Sequence, residues 1–286
     1  MMTYKRILVS LMVLITSACG DNRLLIKIKG SDTEVNLVST LAEKFHPGHP
    51  QYSIAVSGGG SGLGIAALLN GQADIANSSR PLTPAERRLF KAKHMRLIEI
   101  VFAEDATAFI VNRQQPIDTI TVSDLRTLLS SPSANWRLLT DTNLPVTIYG
   151  RQSNSGTHTF IKNKLGINFS SKTIEMNGNA QIIQGIKQDH SGIGYVSAGY
   201  LKNNDSQIKA LRVSPAKGKP AVSPLEEKAI LENKYFFQRP LYQFIRADSW
   251  PKVRAFIEFE KSGPGKAVIK ASGYYFPPKA VAHIQL

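Results

Sequence analysis

The stretch "YSIAVSGGGSGLGIAALLNG", Tyr52 to Gly71, sets a short apolar run against a glycine-rich loop and follows it with apolar residues at helical spacing. Strand, loop and helix in that order form the repeating unit of an α/β domain. The glycines let the backbone come close to a ligand. The spacing excludes the common nucleotide loops. A dinucleotide fingerprint, G-x-G-x-x-G, would need its last glycine at Leu63 or Ile65. A phosphate loop of the NTPase kind fits Gly59 and Gly64 but meets Ile65 where lysine is required. A hydrolase elbow around Ser61 fails at Leu63.

Two other places share the same grammar: "KGSDTEV" (Lys29–Val35) and "GRQSNSGTHTF" (Gly150–Phe160). A fourth, "ANSSRPL" (Ala76–Leu82), has serines without glycine. Each loop alone reads equally well as a tight turn whose Ser or Thr caps a helix. As a set they point to a cage for a small oxyanion. Backbone N–H groups at helix N-termini carry partial positive charge, and hydroxyls add donors without charge. Arg151, four residues before Ser155, adds a charged fork that suits an oxyanion. Asp32 and Glu34 flank Thr33 and suit a first helical turn, although Asp32 also suits a proton acceptor for a protonated ligand.

The rest of the chain repeats the alternation. Ile26–Lys29 is strand-like, and Val35, Val38, Leu41, Ala42 and Phe45 follow at helical spacing. Further strands are expected at Ser53–Val56, in "ADIAN", and as two segments in "RLIEIVFAEDATAFIVN". Thr83, Pro84 and Glu86 form a helix start with a capping box. Near Asn112–Pro116 the chain enters a second unit with helices in "TVSDLRTLLSS", "SGTHTFIKNKLG" and "NAQIIQGIKQ", and strands in "VTIYG" and "GIGYVSAGY". The strand "LYQFIRAD" and the helix "WPKVRAFIEFEKS" then return to the first unit. The expected fold is α/β with a mainly parallel sheet, in two lobes joined by two crossing strands. Lobe one takes residues 24–110 and 240–286, and lobe two takes 111–239.

The N-terminus reads as an export signal over residues 1–19. Lys5 and Arg6 precede the apolar run "ILVSLMVLI", which is too short to span a membrane as a mature helix. It leads through "TSAC" to Cys19, the only cysteine of the 286 residues. That pattern suggests a lipoprotein acylated at Cys19, although Thr16 stands where an aliphatic residue is usual; an ordinary secretory signal is the alternative. No thiolate metal site or disulfide is then expected in the mature chain. Removing Lys5 and Arg6 leaves 33 basic and 21 acidic residues, a net charge of about +12 that favours anionic ligands. The basic residues are dispersed. The densest run, "ERRLFKAKHMR", has the spacing of a solvated helix face, so nucleic acid is not expected as a partner. His46 and His49 are split by a Pro-Gly turn and make a poor metal pair, and His158 fits a helix surface better than a ligand site. No cofactor or metal is expected.

Taken in order, "GSDTEVNLVSTLAEKF", "VSGGGSGLGIAALLNGQADIANSSRPL", "GRQSNSGTHTFI" and "GIGYVSAGY" resemble the periplasmic phosphate-binding proteins of high-affinity phosphate ABC transporters. The resemblance runs from about Ile26 to the "GYYFPP" near the C-terminus. It implies a type II periplasmic-binding-protein fold that closes on inorganic phosphate and delivers it to a membrane permease, as a monomer and not an enzyme. By position, the family's ligand-binding residues fall on Thr33, the Glu34 backbone N–H, Ser61, Arg151, Ser155, Gly156 and Thr157. Many members carry an aspartate, an acceptor for phosphate protons, where this chain has Ser79 followed by Arg80; that Ser-Arg pair resembles another branch of the family. The departure leaves sulfate, molybdate and tungstate as alternative ligands. An exported phosphatase or esterase would need a metal cluster or a Ser-His-acid set that the motifs do not supply. A sensor or adhesion lipoprotein on the same fold is a further alternative.

Overall fold

The computed structural model describes residues 23–202, 205–277 and the backbone of 282–285. Cys19 and the signal segment lie outside the described residues. The first half alternates β1 (Leu24–Gly30), α1 (Val35–Phe45), β2 (Tyr52–Ser57), α2 (Ser61–Leu69), β3 (Ile75–Ser78), α3 (Pro84–Ala92) and β4 (Leu97–Asn112). The expected capping box at Thr83 and Glu86 is present, with Pro84 in the first turn of α3. The second half holds β5 (Thr119–Thr121), α4 (Val122–Ser130), β6 (Thr147–Arg151), α5 (Gly156–Leu165), β7 (Ile174–Met176), α6 (Asn179–Gln188) and β8 (Gly192–Ser197). It continues through β9 (Ile208–Ala210), β10 (Arg212–Ser214) and α7 (Glu227–Leu231). The chain then returns as β11 (Gln238–Arg246), α8 (Trp250–Lys261), α9 (Gly263–Ala271) and β12 (Ala282–Gln285).

One curled sheet runs through the molecule in the order β2-β1-β3-β11-β4-β8-β6-β7. At its two ends the pairs are parallel: β1 with β2 and β3, and β6 with β7 and β8. In the middle, β11 is antiparallel to β3 and β4, and β4 is antiparallel to β8. The sheet is therefore mixed, its parallel ends joined by antiparallel crossing strands.

β4 is a single strand of 16 residues, not the two segments expected from the sequence. The charged pair Glu104-Asp105 reads as a break, but no Gly or Pro interrupts the backbone. Asp105 is instead paired in register with Arg239 on β11, so its charge is neutralised within the sheet. Here the two strands change cores. Phe102 and Ala103 pack with Ile26, Leu41 and Phe256, whereas Ala106 and Phe109 pack with Trp136, Ile148 and Tyr195. Where the chain enters β11 the same change falls between Phe237, just before the strand, and Leu241 within it.

α8 buries one carboxyl against β11. Gln243 Nε2 donates to Glu260 Oε1 at 2.9 Å, while Glu260 Oε2 and Gln243 Oε1 are buried without a donor. Burial lifts the Glu260 carboxyl to about 8, against the opposing hydrogen bond from Gln243. A protonated Glu260 brings a donor of its own to this apolar setting. Because the folded value lies above the ordinary 4.5, the folded chain holds a proton between those limits that the unfolded chain releases. The associated stability is fully present below about 4.5 and is lost as pH rises to about 8. Thermal melts of the wild type should fall steadily from pH 5 to 8, and Glu260→Gln, which keeps an amide pair, should flatten the fall. Parallel pH profiles for the two proteins would remove Glu260 as the cause.

Candidate functional site

Each of the four loops singled out in the sequence leaves the C-terminal end of a parallel strand, and the fold brings all four together beside the crossing strands. From β1, Gly30 and Ser31 lead into a 3-10 turn, Asp32–Glu34, which carries Thr33. From β2, Gly60 at φ +108° turns the chain into α2, whose first residue is Ser61. β3 ends at Ser78, next to Ser79. β6 ends at Arg151, and Ser155 is the N-cap of α5, its Oγ accepting from the His158 N–H at 3.4 Å.

The hydroxyls converge from both halves. Thr33 Oγ1 and Thr157 Oγ1 lie 3.2 Å apart. Ser61 Oγ accepts from the Ser79 N–H at 3.1 Å and lies 3.5 Å from Ser79 Oγ. Gly156 fits only because it has no side chain, since a Cβ there would stand 2.3 Å from Ser61 Oγ and 2.5 Å from Ser79 Oγ. Thr33, Ser61, Ser79, Gly156 and Thr157 thus form one buried cluster, and Ser155 and Arg151, on the loop that leads into Gly156, are buried as well.

Arg151 is 2% exposed. Its Nη2 donates to Asn177 O at 2.9 Å and its Nη1 to Asp32 Oδ2 at 3.4 Å, while Nε is buried with no partner. Burial pulls this guanidinium below its ordinary value, against the pull of Asp32, and the nearby charge of Arg239 adds to the depression. Two guanidiniums thus lie near enough to repel each other, which favours an anion in their vicinity.

Asp32 does not complement its own helix. Its carboxylate crosses to the other half, where Oδ2 accepts from the Asn179 N–H at 2.9 Å and from Asn179 Nδ2 at 2.8 Å. It thereby caps α6, whose own N-cap, Gly178, has no side chain for the task. Tyr200 OH donates to Asp32 O at 2.8 Å. A second bridge joins the glycine loop to the β6 loop: Gly62 N–H donates to Asn154 O at 3.0 Å, and Asn154 Nδ2 donates to Gly59 O at 3.1 Å.

Glu34 and Arg80 are placed differently. The Glu34 N–H donates to Ser31 O at 3.2 Å within the 3-10 turn, and its carboxyl is fully buried, which pushes it well above the ordinary carboxylate range. Arg80 turns toward the start of α3, donating to both carboxylate oxygens of Glu86 at 2.7 Å and to Pro81 O at 2.9 Å. His158 accepts no ligand role in this geometry: its Nδ1 lies 2.9 Å from Arg151 O and its ring packs on Phe169. His49 stacks on Phe45 with ring centroids 4.0 Å apart. Among the described residues, no three His, Cys, Asp or Glu side chains gather in a way that would hold a metal ion.

The residues missed in the sequence are those on the crossing strands. Arg239 Nε and Nη2 donate to Asp105 Oδ2 at 3.0 and 2.8 Å, with both side chains buried. The same Nη2 lies 3.2 Å from Thr33 Oγ1 and 3.1 Å from Thr157 Oγ1, and Nη1 lies 3.4 Å from Ser79 O. Ser197 Oγ donates to Asp105 Oδ1 at 2.6 Å, and Tyr274 OH donates to Thr33 O at 2.6 Å. The available signal was charge inside each of two apolar strand-like runs, Glu104-Asp105 in "VFAEDATAFIV" and Arg239 in "FFQRPLYQF", with Asp105 and Arg239 134 residues apart.

Comparison with known proteins agrees with this architecture. Protein SphX of Synechococcus elongatus is 30% identical over 270 residues, covering 90% of this chain and 79% of SphX. The phosphate-binding protein PstS of Staphylococcus haemolyticus is 25% identical over 260 residues, covering 88% of this chain and 81% of PstS. Among solved structures, an ABC-type phosphate transport receptor from Vibrio cholerae superposes with a TM-score of 0.69 at 26% identity, covering 88% of this chain and all (100%) of the receptor. An ABC transporter substrate-binding protein from Clostridium perfringens, solved with bound phosphate, superposes with a TM-score of 0.79 at 22% identity, covering 88% of this chain and 99% of that one. A family model described as a PBP superfamily domain matches residues 16–262, and the chain belongs to that superfamily of two-lobed binding proteins.

Proposed function

We propose that this chain is an extracytoplasmic binding protein that captures inorganic phosphate between its two halves and hands it to the permease of an ABC transporter. The observation that carries the reading is Arg151, a buried guanidinium with an unpartnered Nε, set against a cluster of hydroxyls from four strand ends. A buried donor without an acceptor costs about 1–3 kcal/mol. An oxyanion in reach of Arg151, Thr33, Ser61, Ser79, Ser155, Gly156 and Thr157 removes that cost and gains charge-assisted hydrogen bonds. Relatives named as phosphate-binding proteins and as a phosphate transport receptor support phosphate as the ligand.

The two cores are the bodies expected to move, hinged where β4 and β11 change cores. On this reading the halves divide near residues 104 and 239. The export signal supports a location outside the cytoplasmic membrane, with an anchor acylated at Cys19, and the binding role requires no more than a monomer. No helix among the described residues is long and apolar enough to cross a membrane.

A second reading has one specific support. The two aspartates near the hydroxyl cluster are already paired, Asp32 with Arg151 and Asn179 and Asp105 with Arg239. A site whose aspartates are so engaged also suits a fully ionised oxyanion such as sulfate, molybdate or tungstate.

Titration calorimetry of the mature protein tests both readings. Phosphate is expected to bind in the presence of excess sulfate; displacement by sulfate would favour the second reading. Arg151→Ala is expected to weaken binding by ~100-fold or more with little change in the melt, since it removes charge-assisted bonds worth about 1.5–3 kcal/mol each. An unchanged isotherm would move the site elsewhere. Gly156→Ala drives a methyl into Ser61 and Ser79 and should weaken binding roughly 5- to 100-fold, the equivalent of about 1–3 kcal/mol of overpacking. Wild-type affinity in that variant would show that these two walls do not meet around the ligand.

A further inference from the structure

Arg239 lies on neither lobe's ligand loops, yet it reaches three of them. Its geometry restricts which atoms can donate. Nη2 carries two hydrogens, and one is committed to Asp105 Oδ2, which also accepts from Nε. The other faces Thr33 Oγ1 at 3.2 Å and Thr157 Oγ1 at 3.1 Å. A guanidinium has donors and no acceptor. Neither threonine can therefore give its hydroxyl hydrogen to Arg239; each can only accept from it. The two hydroxyls are 3.2 Å from one another, so at most one of those two hydrogens is used between them. At least one is left to point away from the guanidinium, and an anion in the cluster draws both.

The guanidinium is itself immobilised. Asp105 holds one edge, Ser79 O accepts from Nη1 at 3.4 Å, and Phe160 packs beneath the plane with its ring centroid 5.2 Å from the Arg239 Cζ. Asp105 is fixed in turn by the Ser197 hydroxyl. Because Thr33 and Thr157 come from opposite halves, the shared N–H also sits at the point where those halves meet.

We infer that Arg239, tethered by Asp105, is a positioning residue that determines specificity: it sets the Thr33 and Thr157 hydroxyls as donors, so that this wall takes an ionised oxygen of the bound oxyanion and not a protonated one. A protonated oxygen of the ligand is then directed to Ser79 Oγ, which, unlike Ser61 Oγ with its bond from the Ser79 N–H, takes no N–H among the described residues and faces only the Ser61 hydroxyl at 3.5 Å. The inference rests on the oxyanion-binding reading given above.

A double-mutant cycle tests it, with inorganic phosphate and sulfate as the titrants. Replacing the ion pair by Asp105→Asn with Arg239→Gln removes both charges together, so the net charge near the site is unchanged and no buried charge is left unpaired. Arg239→Gln alone is run beside it, and unliganded melts of every variant report on the fold. In the wild-type background the paired replacement is expected to weaken binding about 10-fold or more, the order of a hydrogen bond to a charged group. In a Thr33→Val, Thr157→Val background the same replacement should weaken it less than about 3-fold, because the hydroxyls it acts through are gone. Equal losses in both backgrounds would overturn the role of Arg239 while leaving the binding site in place. A wild type that binds neither anion would overturn the oxyanion reading itself, and this inference with it.

Discussion

The buried ion pair between Asp105 and Arg239 is the constraint on which the rest of the arrangement depends. It sits where both crossing strands pass from one hydrophobic core to the other. A charge at that depth is tolerated only with a partner, and removing one partner costs far more than replacing both. The pair therefore fixes the register of β4 against β11 at the point where a slip of one residue would turn side chains to the wrong face. It also leaves one guanidinium N–H directed out of the sheet toward the threonines. Sheet register and ligand cluster are thus set by the same side chain.

The ligand loops gather there for a topological reason. In open α/β sheets, crevices form beyond the C-terminal ends of parallel strands, where the strand order changes direction. β1, β2, β3 and β6 all end at the cluster, and each is followed by a hydroxyl-bearing turn. Three of these turns open a helix or 3-10 turn: Thr33 lies in the 3-10 turn before α1, Ser61 is the first residue of α2, and Ser155 is the N-cap of α5. The crossing strands place the two sets opposite one another. A net positive chain supplies a favourable field, but local selectivity comes from these few buried donors.

Much of this was legible in the sequence because it is local. Strand-to-helix alternation is written in periodicity, and the start of α3 in Thr83, Pro84 and Glu86, whose capping box the structure contains. The strand-loop-helix grammar also marked the loops that converge. What could not be read was long-range. Asp105 and Arg239 are 134 residues apart, and only the fold shows that each neutralises the other. The same blindness split β4 in two, since Glu104-Asp105 resembles a polar break until the partner strand is present. Asp32 was legible as a helix-start acid, but its carboxylate serves a helix 147 residues away. Arg80 was read next to Ser79 as one unit, yet Glu86 takes its guanidinium away from the cluster.

The contacts across the cleft have a chemistry suited to reversible closure. Asp32 with Arg151 and Asn179, Thr33 with Thr157, and the glycine loop with Asn154 are polar. Each exchanges for water on opening, so its net worth is only about 0.5–1.5 kcal/mol for a neutral pair and somewhat more for a charged one. An apolar interface of equal extent would stay shut with or without ligand. With polar contacts of this size, open and closed forms lie within reach of each other. The anion can then decide between them, because only the closed form offers it donors from both halves at once. Arg239 lies where the chain passes between the two cores, and its Nη2 meets Thr33 from the first half and Thr157 from the second, so the threonine pair is complete only with both halves together.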